Sequence, residues 1–589
     1  MEAQKKPRKR RARMTAEQKA QMQVKKEQTR FHNNAHDIFL KSGFRSIKCE
    51  NIHFTLSTGS GDRTTELDGL YLHENIIIIT EQTHKKEVNE HLSKKRIIAE
   101  LIRDHPKPFI EEIKEKLPEF KDYFHANRYM PDDYIVKYLY FSMHPVGTEH
   151  VDAAARAGII TIGRPLANYF HALAKTIAAS AKYELIKFLR IEYSEIGDAK
   201  LSGGTASNDA RYKGFLLPDK NSTYPEGYRI VSFYADPKSL LKKCYVVRKN
   251  SWTDPDKSYQ RVIDISKIRE MRKYLSEEKR VYVNNIIATL PGNTDVQNID
   301  TRKQLTLEEQ KQVRPVTIVI PDEFNVIGLI DGQHRVFSYH EGTDEADKEI
   351  SNLRDRQNLL ITGIIYPDNI TEDERVQFEA KLFIEINEKQ KKVQSTLTQE
   401  IQLIVNPYST TAIARAIISK LSKSGPLKDK LEEHAFDDSE RKLKVASIVS
   451  YGLKPLIKLE GDDCLFSVWD EPELKKQILE KKKDQVALGQ YIDFCHKEIG
   501  RILLAAKLSR PESWEVGDDS VKMLTTTSVN GLIRCLRRLI KEGKQLSEID
   551  YQARLKNFGT FKFSVYKSSH WNQMGNDIYD DYFSEEGAD

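Results

Sequence analysis

Asp331-Gly332-Gln333-His334-Arg335 sets a carboxylate, an amide, an imidazole and a guanidinium around one glycine, directly after the apolar run 326–330. A strand feeding a glycine turn and then a helix leaves the first helical N–H groups unpaired, with the positive end of the helix dipole behind them. A phosphate set there accepts those N–H groups. Gly332 lets the backbone come close, and Arg335 offers a two-pronged fork to phosphate oxygens. The same residues also suit a plain connection, with Asp331 as cap, His334 as a surface polar residue and Arg335 in a structural ion pair. Spacing alone leaves both readings open.

A second constellation lies nearer the N-terminus. Glu66-Leu67-Asp68-Gly69-Leu70-Tyr71-Leu72 is followed, after a short turn, by Ile76-Ile77-Ile78-Ile79-Thr80-Glu81-Gln82-Thr83. Two paired strands bring Asp68 and Glu81 to one end of a sheet. Carboxylates placed so favour a hard divalent cation such as Mg²⁺, which activates water against a phosphodiester. Lys85 keeps the parity of Glu81 if the strand runs on that far, whereas Lys86 points to the other face.

Other chemistry-bearing residues carry less. His32 and His36 have zinc-compatible spacing but no third ligand nearby, and Asn33 stands where a metalloprotease motif needs Glu. Neither a Gly-x-Ser-x-Gly elbow nor a Walker-type phosphate loop is present. Arg534, Arg537 and Arg538 read as side chains snorkelling over a packed helix face.

The elements that must position these groups follow from periodicity and turn residues. A helix over 30–42 stops at Gly43, and extended segments at 46–56, 66–72 and 76–83 form an antiparallel meander. Helices at 94–103 and 108–116, a strand at 134–143 and one long helix at 165–189 complete an α/β domain. A polar stretch at 201–209 precedes strands at 228–234, 244–248, 284–290, 316–320, 326–330 and 359–366. Between them lies a helix over 266–275 capped by Ser266, and another helix begins at 336–340. From 372 onward the pattern is helical, near 372–387, 395–422, 440–458, 471–506 and 520–542. The domains expected are a basic disordered leader (1–30), an α/β domain (31–195), a central α+β domain (210–395), a helical region (396–575) and a frayed acidic tail (576–589).

The 589 residues exceed what one core organises. The net charge of +6 is uneven: residues 1–30 hold eleven Lys or Arg against three Glu, so the rest of the chain is slightly acidic. Such a leader binds phosphate backbones by counterion release, or serves as a solubilising segment. Five scattered cysteines form no Cys-x-x-Cys pair, and no apolar run approaches a bilayer span. A cytoplasmic protein without a membrane partner is expected.

The run Val326-Ile327-Gly328-Leu329-Ile330 with the following Asp-Gly-Gln-His-Arg resembles the DGQHR domain family, which includes the DndB proteins associated with DNA phosphorothioation. Tyr259-Gln260-Arg261, Val283-Asn284-Asn285-Ile286-Ile287 and Phe383-Ile384-Glu385-Ile386-Asn387-Glu388-Lys389-Gln390 are similar to that family's flanking motifs. The order of these motifs also resembles the ParB/sulfiredoxin superfamily. That resemblance implies a nucleotide, ATP or CTP, with phosphate contacts from Asp331, Gly332, Gln333, His334 and Arg335. Glu385 and Asn387 would complete the site, and Gln260 and Arg261 would flank it. The N-terminal arrangement resembles the PD-(D/E)xK nuclease fold, which implies Asp68 and Glu81 as metal ligands and a lysine two residues after the glutamate. Thr83 stands there, which leaves Lys85 as the substitute. The fold class expected is therefore multidomain α/β and α+β: a restriction-endonuclease-like domain, a ParB/sulfiredoxin-like domain and a mostly helical C-terminal region. The function implied is a DNA-associated protein of DNA modification or antiviral defence, with a nuclease or a transcriptional regulator as alternatives.

Overall fold

The computed structural model describes residues 16–58, 61–85, 87–201, 210–246, 263–387, 403, 405–432, 442–481, 485–516, 523–567 and 569–584. The chain divides into two units, Met1–Tyr245 with Ile263–Ile365, and Val246–Val262 with Tyr366–Asp589. Gln260 and Arg261 lie outside the described residues, as does the polar stretch 202–209. Among the described residues, no helix is long and apolar enough to cross a membrane.

The first unit holds two main sheets. In the N-terminal one, β1 (Arg45–Ile47), β4 (Gly69–His73), β5 (Ile76–Thr83), β6 (Ile135–Ser142) and β7 (Ile159–Gly163) lie side by side in that order. β1, β4 and β5 are antiparallel, while β6 and β7 run parallel to β5. The expected meander is present as β1, β4 and β5, but the single strand expected over 46–56 is broken: β1 ends at Ile47, and β2 (Phe54–Thr58) pairs with β3 (Gly61–Thr65) in a separate hairpin. Alternation sends Ile77, Ile79, Tyr138 and Tyr140 into one core with helices Asn89–Asp104 and Pro106–Lys116. On the other face, Phe39 of the first helix stacks on Tyr71 and meets Phe141 edge-on.

The second sheet has eight strands in the order β10-β14-β11-β15-β9-β8-β13-β12. These are β8 (Ala210–Leu217), β9 (Arg229–Ala235), β10 (Cys244–Val246), β11 (Ile286–Leu290), β12 (Asp295–Asn298), β13 (Arg314–Ile320), β14 (Ile327–Asp331) and β15 (Leu359–Ile365). β11 and β15 pair in parallel, and the other registered pairs of this sheet are antiparallel.

Several expectations are corrected. The first helix begins at Ala16, inside the supposed leader, because Ala16-Glu17-Gln18-Lys19-Ala20 are strong helix formers. The single helix expected over 165–189 is two, Arg164–Ile177 and Lys182–Phe188. Ala178 takes a left-handed φ of 43°, and the amide of Ala179 donates to the carbonyl of Glu341, so a tertiary contact breaks the helix. The helix after 264 is capped by Asp264, not Ser266. The helix at the glycine turn covers only Gln333–Phe337, and a separate helix, Glu345–Arg356, follows.

The second unit is helical, as expected. Its core joins Ile413, Ile417, Leu453, Tyr491, Ile502, Leu532 and Ile578. The expected segment 440–458 contains a π-helical stretch, Ile448–Leu453, and 471–506 is two helices, Pro472–Leu479 and Val486–Ser509. The supposed frayed tail instead begins within helix Trp571–Tyr582. Ile578 and Tyr579 are buried there, and Arg538 lies 4.1 Å over the Tyr579 ring.

Candidate functional site

The carboxylates meet at the end of the N-terminal sheet. The β4–β5 register pairs Gly69 with Thr80, so the next position sets Asp68 opposite Glu81. Asp68 is exposed, and its Oδ2 accepts the Gln82 amide at 2.6 Å. Glu81 is 1% exposed. Its Oε1 accepts Lys95 Nζ at 2.7 Å and the Tyr138 hydroxyl at 3.2 Å. Burial pushes the Glu81 carboxyl up to about 7; the charge of Asp68 adds to the rise, and Lys95 opposes it. Burial likewise raises the Tyr138 phenol well above its usual range and the Cys49 thiol to about 12.

Lys85 does not meet the condition set for it. β5 ends at Thr83, so Lys85 sits exposed in the loop beyond the pleat that would aim it at Glu81. The cation comes from helix Asn89–Asp104 instead. Lys95 Nζ also donates to the Glu66 carbonyl at 2.9 Å and to Thr65 Oγ1 at 3.4 Å. A signal for it was present: Leu92, Lys95, Ala99 and Ile102 recur at helical spacing, and the other three are buried. A lysine on such a stripe needs a carboxylate or carbonyl partner. Of the remaining candidates nearby, His36 Nδ1 shares a 2.7 Å hydrogen bond with the Tyr71 hydroxyl.

The glycine turn is built as a close approach. Gly332 has φ 92°, and a Cβ there would come within 2.9 Å of Ile286 Cγ1. Arg335 is engaged twice within the fold, by Asp331 Oδ2 at 2.8 Å and by the Asn285 carbonyl at 2.6 Å. His334 Nε2 accepts the Asp264 amide at 3.1 Å. Gln333 is 2% exposed, and its Oε1 has no hydrogen-bond partner among the described residues. Behind the turn, Arg272 donates to the carbonyls of Ser338 and His340 and to Asp344, while Arg354 donates to Tyr339, His340 and Asp347. Burial, helped by Arg272, lowers His340 to about 4, so the ring is neutral.

Glu385 is exposed near the end of helix Glu372–Asn387, which belongs to the second unit. Arg537 pairs with Asp463 and Arg538 with Asp580, so both are taken up in that unit's own packing.

Residues 229–431 match a family model, DndB, described as DNA-sulfur modification-associated. The matched stretch opens at β9 and contains the whole glycine turn. It begins after the N-terminal sheet. No curated protein and no solved structure matches the chain. The match supports a DndB-like reading of the chain's centre.

Proposed function

We propose that this chain is a DNA-associated protein of a DNA sulfur-modification or antiviral defence system, which senses DNA or regulates the system. The observation that carries the reading is the DndB match over residues 229–431, with the glycine turn inside it. On this reading the turn takes a phosphate, from a nucleotide such as ATP or CTP or from the DNA backbone. Such a phosphate must compete with Asp331 for the Arg335 fork, so binding there exchanges one ion pair for another. The test is anisotropy titration with one duplex made with and without phosphorothioate linkages, at several salt concentrations. Binding that weakens linearly in log salt and favours the modified duplex is expected. Failure to bind either duplex overturns the reading. In parallel, failure of the wild type to bind ATP and CTP would remove the nucleotide from it.

A second reading, metal-dependent DNA cleavage at the N-terminal sheet, is favoured by Lys95 beside Glu81. Lys95 pairs with Glu81, and the exposed Asp68 beside it adds a second carboxylate, which suits a hard cation. Among the described residues no group of three or more acidic, His or Cys side chains could hold a metal ion, so water and phosphate oxygens would complete the shell, as Mg²⁺ prefers. Asp68 and Glu81 would hold the ion, which when bound supplies Lewis acidity and an activated water. Lys95 then holds the Glu81 carboxylate in place. Incubation with plasmid and Mg²⁺ or Mn²⁺ should give cleavage that is lost in Asp68→Ala/Glu81→Ala and reduced in Lys95→Ala. Calorimetry should show Mn²⁺ binding lost in the same double variant. Cleavage surviving the double substitution excludes this site.

A further inference from the structure

The eight-stranded sheet has two unlike faces. One is core: Tyr212, Leu216, Val231, Phe233, Val316 and Ile318 are all buried. The other presents Phe215 at 59% exposure and Tyr234 at 61%. The register explains their grouping. β8 pairs Phe215 with Ser232, and β15 pairs Leu360 with Tyr234, so both rings stand on the same face of adjacent strands. They are diagonal neighbours, about 7–8 Å apart by sheet geometry. A solvated sheet face normally carries polar residues, and two large rings left side by side in water mark a binding surface.

The charge beside the rings is positive. Arg211 and Lys213 project from β8 beside the rings, both exposed. The outward positions of β8, β9, β13 and β15 contain no Asp or Glu, and the edge strand β12 adds Asp295 opposite Val319. The face also runs into the glycine turn. Ser232 is registered with Thr362, whose Oγ1 accepts Asn285 Nδ2 at 2.8 Å, and the Asn285 carbonyl accepts Arg335. From β8 to β11 is three strand spacings, about 14 Å.

We propose that this face is a stacking platform for single-stranded DNA, with Phe215 and Tyr234 taking bases and Arg211 and Lys213 taking the backbone. Rings on a flat sheet stack only on bases whose faces are free, and a duplex keeps its base faces covered. The platform therefore selects an opened or displaced strand. It deepens the reading of the chain as DNA-associated and rests on it.

The test uses the full chain and three labelled probes: oligothymidylate, a mixed-sequence duplex and oligouridylate. Wild type should bind oligothymidylate more tightly than the duplex. Phe215→Ala and Tyr234→Ala should each weaken oligothymidylate binding roughly 5- to 150-fold while leaving duplex binding within about twofold. Phe215→Trp should retain binding, and Lys213→Gln should lower the salt slope by about one. Both rings are exposed, so unchanged thermal midpoints are expected in the alanine variants. Wild-type duplex binding with no single-strand preference, or no effect of the double alanine variant, overturns the platform and leaves DNA association standing. Tighter binding of oligouridylate overturns the assignment to DNA. Failure of the wild type to bind any probe overturns both readings.

Discussion

Glu81 shows how one residue's surroundings turn into a measurable property of the whole fold. Its carboxyl is raised to about 7 from an ordinary value near 4.5. The folded state therefore binds this proton more tightly than the unfolded chain does. Stability from this group is full below the unfolded value and is lost as pH rises toward 7. Over that window the loss is at most about 3 kcal/mol. Urea midpoints at pH 5 and pH 8 should differ through this group in wild type, and the difference should shrink in Glu81→Gln. A pH dependence unchanged by that substitution would contradict the assignment. At this scale the sequence brought Asp68 and Glu81 together but marked the cation of Glu81 only by a helical stripe through Lys95. Parity along a strand pointed to Lys85, but the strand stops at Thr83, and the lysine that arrives, fourteen residues downstream of the glutamate, comes from a helix.

At the scale of elements, the helical unit depends on a close crossing of Thr526–Lys541 with Trp571–Tyr582. A Cβ on Gly575 would stand 2.5 Å from Arg534 Cβ and 2.7 Å from the Gly531 carbonyl oxygen. Helix propensity alone favours Gly575→Ala by about 1 kcal/mol. The clash is with backbone and with a side-chain root, neither of which can swing aside, so overpacking wins. Gly575→Ala should destabilise the protein by roughly 1–3 kcal/mol, read as a fall in the denaturant midpoint. A stabilised variant would show that the helices sit further apart. Element existence was largely legible: the isoleucine run of β5, the buried β14 and the long amphipathic helices all announced themselves. The misses have two physical causes. β8, with its exposed Arg211, Lys213 and Phe215, is solvated on one face and looks irregular in isolation. The break at Ala178 is set by Glu341, more than a hundred and fifty residues away, which no local window contains.

At the scale of the whole molecule, charge and sequence similarity point the same way. The positive excess lies in residues 1–30, while the remainder is slightly acidic. A duplex held mainly by such a segment is held without sequence preference, so the leader should dominate the salt slope of duplex binding. On the proposed function, discrimination between modified and unmodified DNA would come from the rest of the chain, where the DndB match lies. Of the sequence-derived candidates, the glycine turn was the most legible, because its strand, glycine and helix are contiguous. Its partners were not: Asn285 and Asp264 reach Arg335 and His334 only through the fold.

The sheet that carries the exposed rings is stitched from distant parts of the chain. β8 finds β13 about a hundred residues later, and β9 finds β15 about a hundred and thirty residues later. Each closure must meet its loop entropy before pairing returns any stability, so this sheet folds slowly compared with the helical unit. On the ribosome, β8 and β9 emerge long before β15, and the aromatic strands wait with an open edge until residue 365 is made. The interval in which this chain is most prone to aggregate is therefore set by the order of its strands, and a chaperone that shields β8 and β9 would act during that wait.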